Sequence, residues 1–258
     1  MDHGGSSTCV RQPIHPYETG DARRPRSRAM SIENFLNEPY QRHNRRRQEH
    51  LASLRLPLFG KSVLEFGAGI GDHTSFFLDR GCTVTVTDAR EENVRAIRAR
   101  FPDIDARVVD IERGLPPDIG RHDVVYAYGL LYHVSDPASA LAHMASVASE
   151  MLLLETCVSF GDGENINATK EDVGNPTQAI HGLGCRPTRA WVFNTLVRHF
   201  EHVYMTLTQP WHEEFPVLWD GTPPVNGTGL YRSVYIASRH SLTNDRLVDH
   251  LVDVQFRE

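Results

Sequence analysis

Three glycines in alternation, Gly67, Gly69 and Gly71, follow the apolar run Val63-Leu64-Glu65-Phe66 and lead into Asp72. Glycine at such positions lets the main chain turn tightly and lets a bound molecule approach without a Cβ in the way. A helix starting beyond the loop, with Asp72 as its N-cap, supplies unpaired N–H groups and positive dipole character suited to a carboxylate. The spacing is not that of a dinucleotide fingerprint, because GxGxxG requires a glycine at position 72, where Asp stands. A second acid, Asp88, closes the run Thr83-Val84-Thr85-Val86-Thr87 at the spacing where a carboxylate can accept both hydroxyls of a ribose. For proton transfer the candidates are His133, whose imidazole titrates near neutrality, and Glu155, near the end of a later apolar run.

These residues need a framework that brings strand ends together. After Pro57 and Gly60, short apolar runs alternate with helical segments, and acidic or glycine-rich turns end the runs, which is how a buried parallel sheet with crossover helices reads. The expected strands are 62–66, 83–87, 106–109, 123–128 and 151–156, with helices over 72–80, 91–100 and 137–149. Right-handed crossovers make this a doubly wound α/β sheet. A long polar stretch at 159–187 precedes a helix over 188–200 and strands over 202–208 and 231–238. The connection 209–230 is long and aromatic, and is expected to be a substrate-side lid. Residues 1–30 mix Gly, Ser, Pro and Arg without periodicity and are expected to form a disordered tail, leaving 31–258 as a single domain whose helices over 31–56, ahead of the sheet, are expected to form an N-terminal lid.

The pattern Glu65-x-Gly67-x-Gly69-x-Gly71, with Asp88 and Asp110 ending the next two strands, resembles class I S-adenosylmethionine-dependent methyltransferases. Asp123-Val-Val-Tyr126-Ala-Tyr128-Gly129-Leu-Leu-Tyr132-His133-Val134 is similar to the motif on that family's fourth strand. The resemblance covers about 62–156 well and the remainder by element order. It implies a three-layer α/β/α fold with a seven-stranded sheet in the order 3-2-1-4-5-7-6, the last strand antiparallel. It also implies S-adenosyl-L-methionine as cofactor, bound by the loop residues Glu65, Phe66, Gly67, Ala68, Gly69, Gly71 and Asp72 and by Asp88 and Ala89. Asp110 would meet the adenine amino group with Ile111 and Phe66 beside the ring. Tyr128, Gly129 and His133 would flank the methionine end.

Transfer of a methyl from a sulfonium is an in-line displacement that mainly needs the acceptor held close and aligned. A hydroxyl acceptor adds the need for a base, for which His133 and Glu155 are the expected catalytic pair. The alternative for His133 is a packing role, and for Glu155 a strand-end charge paired with a helix. His181, Arg186, Arg189, His212, Glu213 and Glu214 read as solvated or structural. His212-Glu213-Glu214 is no zinc motif, since HExxH needs His where Pro216 stands, and no metal is expected. Trp191, Phe193, Trp211, Phe215 and Trp219 could wall a pocket for a sugar, ring or lipid-like acceptor, although the first two stand at core-like helical spacing.

A small-molecule acceptor, methylated at oxygen and of natural-product or glycan type, is the leading expectation. The arginines at 42, 45, 46 and 47 motivate an RNA methyltransferase as the alternative, but the formal net charge of -6 disfavours a surface built for phosphate backbones. A binding protein without catalysis is a third reading. The four cysteines, 9, 82, 157 and 185, show no metal-type pairing and read as free thiols. With no signal-peptide core and no bilayer-length apolar run, a cytoplasmic location without membrane partners is expected, and the oligomeric state is left open.

Overall fold

The computed structural model describes Met1 and residues 30–257, so the tail expected over 1–30 lies, apart from its two ends, outside the described residues. Eight strands form one sheet: β1 (Ser62–Phe66), β2 (Thr83–Asp88), β3 (Asp105–Val108), β4 (His122–Tyr128), β5 (Ala148–Cys157), β6 (His202–Thr206), β7 (Arg232–Ser238) and β8 (Leu247–Val248). Their order is β3-β2-β1-β4-β5-β7-β6-β8. Neighbours among the first five pair in parallel, whereas β7 runs antiparallel to both β5 and β6. The first seven strands thus follow the expected order, and the expected count of seven is corrected by β8. That strand adds an antiparallel edge to β6 through Leu247↔Thr206 and Val248↔Met205. Two residues inside a polar segment carry no readable period, which is why sequence pattern missed it.

Alternation along the strands sends apolar residues to both faces, as a sheet covered on two sides requires. Leu64 and Phe66 join Val125, Ala127, Leu152 and Leu154 in one core. That face is covered by α5 (Pro137–Val147) and α6 (Arg189–Val197). On the opposite face Val63, Val124, Tyr126 and Leu153 pack with side chains from α2 (Glu38–Ser53), α3 (Thr74–Leu78) and α4 (Glu91–Arg100). Ahead of α2 lies α1 (Met30–Leu36). Asn37 caps α2 by accepting the Tyr40 N–H at 2.9 Å, and Thr188 caps α6.

Helix α3 is shorter than the expected 72–80, and Asp72 is not its N-cap. The Asp72 carboxylate is engaged elsewhere, by Arg100 at 2.7 Å, Gln41 at 2.9 Å and Asn44 at 3.2 Å. Helix α5 ends at Val147 because β5 has already begun at Ala148. The stretch 159–187 contains a small hairpin, Ala168–Lys170 against Leu183–Cys185, and Thr208–Gln209 pairs with Phe256–Arg257. Among the described residues no helix is long and apolar enough to cross a membrane. Cys82, Cys157 and Cys185 are buried free thiols, and Cys9 lies outside the described residues.

Candidate active site

The order of the sheet reverses between β1 and β4, and crevices at the carboxyl ends of such neighbouring strands are where open α/β sheets bind ligands. A cavity of about 530 Å³ lies there, touched by Phe66 from β1 and Tyr128 from β4. Its glycine-loop wall includes Gly67 and Gly69, with φ of +64° and +58°. A Cβ on Gly69 would lie 2.7 Å from the Phe35 ring, and one on Gly67 would lie 2.9 Å from Leu130. Phe35 and Leu130, which themselves line the cavity, thus pack directly on these two glycines and leave no room for a side chain there.

Asp88 fastens that loop. Its carboxylate accepts the Gly69 N–H at 2.8 Å, the Arg90 N–H at 2.9 Å and the Asn93 side-chain amide at 3.1 Å. Burial still pushes its pKa up to about 6, partly offset by these donors. Asp88 and Ala89 both face the cavity, as do Asp110 and Ile111 beside the end of β3. Asp110 accepts from His181 at 2.8 Å, so this histidine is a partner of the nucleotide-side acid. Arg90 donates to the carbonyls of Val173, Asn175 and Gln178, each at 3.2 Å, and fastens the segment after the hairpin's first strand over this end.

Glu65 does not reach the main cavity. Alternation along β1 puts it on the Val63 face, where it is buried and accepts the Thr74 hydroxyl at 2.7 Å. Burial pushes its pKa up to about 7. Ala68 and Asp72 likewise border only a minor pocket behind the loop, and Gly71 touches neither pocket. Tyr128 borders both spaces, and its hydroxyl is buried without a hydrogen-bond partner.

His133 and Gly129 line the cavity. His133 Nδ1 is hydrogen-bonded to Glu171, a residue with no motif around it, and Glu171 in turn accepts the Ala179 N–H at 2.8 Å and Arg186 at 3.2 Å. Burial lowers the His133 pKa despite the carboxylate, so the ring is neutral at physiological pH with Nδ1 tied back. Glu155 is placed differently from the expected base. Fully buried beneath the cavity, it is gripped by Arg47 of α2 at 2.5 Å and by Arg232 of β7 at 3.1 Å. Arg232 also binds Glu214 at 2.6 Å and donates to the Tyr132 hydroxyl at 3.2 Å. Both oxygens of the Glu155 carboxylate are thus engaged by guanidiniums, and neither faces an acceptor in the cavity.

The cavity is also lined by Tyr40, His43 and Arg47, which share one face of α2 at helical spacing, and by His212, Glu213 and Glu214 from the 209–230 connection. His212 and Glu214 are buried rather than solvated. His43 and His212 stack with ring centroids 4.6 Å apart, and burial lowers the pKa of both. The arginines read as a basic face are individually matched: Arg42 with Glu213, Arg45 with Glu38, Arg46 with Glu49 and Arg47 with Glu155. None of Trp191, Phe193, Trp211, Phe215 or Trp219 lines the cavity. Phe215 and Trp219 are buried and anchor the connection, Trp191 and Phe193 are core, and Trp211 is exposed. The cavity's aromatic rings are instead Phe35, Tyr40, Phe66, Tyr128 and Tyr132.

Comparison with known proteins agrees with this geometry. A family described as "Methyltransferase domain" matches residues 63–150. Ubiquinone biosynthesis O-methyltransferases of Bordetella pertussis and Thiobacillus denitrificans are 33% and 34% identical over 95 residues. That stretch is 35% of this chain and 39% and 41% of theirs, so the match spans well under half of those relatives. Among solved structures, the N-terminal domain of EvdMO1, determined in the presence of S-adenosylhomocysteine and D-fucose, superposes with a TM-score of 0.58 at 21% identity, covering 78% of this chain and 84% of that one. A methyltransferase from Mesorhizobium loti gives 0.52 at 18% identity, covering 74% and 96%. The loop, the acid-ended strands and the strand order thus agree with the matched segment: residues 63–150 carry a methyltransferase domain, and the chain has the Rossmann-like methyltransferase fold.

Proposed function

We propose that the protein transfers a methyl group from S-adenosylmethionine to a hydroxyl of a small, polar acceptor of glycan or natural-product type. The observation that carries this reading is a single cavity with two chemically distinct walls. One is the glycine loop pinned by Asp88, and the other is a set of buried polar side chains from α2 and the 209–230 connection. The first wall suits the cofactor: Gly67 and Gly69 admit it at close range, Asp88 and Asp110 offer acceptors for ribose and adenine, and the orphaned Tyr128 hydroxyl lies nearby. When bound, the cofactor supplies an electrophilic methyl. The chain's own task is to place the acceptor and to take its proton.

His133 is suited to that task. Glu171 holds Nδ1 as the protonated nitrogen and sets the ring's orientation, which leaves Nε2 as the basic atom. Oxygen as the acceptor atom is supported by the named activity of the ubiquinone relatives. A sugar-like or polyhydroxylated acceptor is supported by the polarity of the second wall, which would be costly to desolvate against a hydrocarbon tail. An RNA acceptor is disfavoured because the arginines of α2 already have carboxylate partners.

Calorimetry with S-adenosylhomocysteine tests the cofactor reading, with one site per chain expected and absence of binding overturning it. A screen of labelled methyl transfer onto fractionated hydroxylated metabolites tests the acceptor class. In the active fraction His133→Ala should lower kcat by about 100-fold or more with cofactor affinity unchanged. Unaltered turnover would remove His133 as the base.

A further inference from the structure

We propose that His43, His212 and Glu214 form a binding site for a divalent transition-metal ion on the wall of the cavity made by α2 and the 209–230 connection. Their candidate ligand atoms all lie within 4.8 Å of one another, and each residue both lines the cavity and is more than nine-tenths buried. His43 Nε2 has no hydrogen-bond partner, which is unusual for a buried polar nitrogen and leaves its lone pair free for a ligand. The three residues come from two segments far apart in sequence, α2 and the 209–230 connection, so local sequence spacing does not account for the cluster.

Two imidazoles and one carboxylate suit zinc, cobalt, nickel or iron(II) rather than magnesium, which favours an all-oxygen shell. Three protein ligands beside an open cavity also leave coordination positions for an outside molecule, the pattern of reactive rather than purely structural metal sites. Ligand atoms around such an ion lie at most about 4.2 Å apart, so binding draws the three together by roughly half an ångström through side-chain rotation. Arg232 Nε engages Glu214 Oε2, which leaves Oε1 of the same carboxylate for the ion. The hydrogen bond from the Glu214 N–H to His212 Nδ1 is long, at 3.3 Å, and little stability is lost if it opens. The neighbouring guanidiniums of Arg47 and Arg232 share Glu155, which offsets part of their charge, and the Glu214 carboxylate supplies the remaining negative charge beside the ion.

The site is read from the protein's own ligands and does not depend on the methyl-transfer reading, so the two are tested apart. The metal-free full chain is titrated with Co2+ and followed by visible absorption. The expected result is saturation at one equivalent, with ligand-field bands of a low-coordinate nitrogen and oxygen environment, and displacement by Zn2+ but not by Mg2+. His43→Gln and His212→Asn, each verified as folded by circular dichroism, should weaken binding by about 100-fold or more. His181→Ala serves as the positional control, because Asp110, Glu112 and His181 form a second, more exposed cluster. Absence of a one-equivalent Co2+ spectrum in the unaltered chain overturns the proposal. So does a spectrum that survives both His43→Gln and His212→Asn, or one abolished by His181→Ala. Cofactor binding, measured separately by calorimetry without metal, reports on the methyltransferase reading alone.

Discussion

Asp88 carries two duties with one carboxylate: it accepts the N–H of Gly69, shaping the loop, and it faces the cavity where the cofactor's ribose is proposed to lie. Asp88→Asn keeps the size but replaces one acceptor oxygen by a donor that faces N–H groups. S-adenosylhomocysteine affinity, read by calorimetry, is expected to fall about 10- to 100-fold, the range for losing hydrogen bonds to a charged acceptor. Glu65 is a different case, buried behind the loop with its pKa pushed up to about 7 from an ordinary 4.5. The folded chain therefore keeps a proton that the unfolded chain sheds across that interval, so this residue makes stability fall as pH rises from about 4.5 to about 7. Asp88 acts in the same sense from 3.8 to about 6, which leaves the upper part of the window to Glu65. Glu65→Gln should flatten the decline of the melting temperature between about pH 6 and about pH 7, and an unchanged slope would show that the carboxyl is not protonated there.

Strands β1 to β5 were legible because buried parallel strands read as apolar runs, and their acidic or glycine ends mark the turns into helices. The edge strand β8 and the hairpin within 159–187 were not, since two or three residues in polar surroundings carry no period. The half of the site made by the strand ends was legible for the same reason that the strands were: it is contiguous in sequence. The other half was not. His43, Arg47, His212 and Arg232 come from three distant segments, and Glu171 has no motif to flag it. The segments themselves, helices over 31–56 and the 209–230 connection, are expected to cover the site, but nothing in the sequence marks Tyr40, His43 and Arg47 as the face of α2 that does so. The loop and α1 are also coupled sterically. Gly69→Ala, at φ +58° and with a Cβ 2.7 Å from Phe35, should destabilise the fold by about 1–3 kcal/mol in urea titration and weaken cofactor binding by displacing α1. A neutral result would mean that α1 moves aside freely.

Across the whole molecule, Arg47, Glu155, Arg232 and Glu214 form a buried chain of alternating charges. It joins α2 near the amino-terminal end to β5, to β7 and to the 209–230 connection. Removing the central charge with Glu155→Gln leaves Arg47 without its counterion and Arg232 with Glu214 alone, and a loss of about 3–5 kcal/mol in denaturant unfolding is expected. A loss below about 1 kcal/mol would mean that water or other carboxylates already compensate the arginines. Because one carboxylate rivets elements from opposite ends of the polypeptide, the roof over the cavity cannot swing away piecemeal. Passage in and out then falls to its outer seam, where Arg42 clasps Glu213 in partial contact with solvent and where dissolved ions can prise the two apart without disturbing the bolt below.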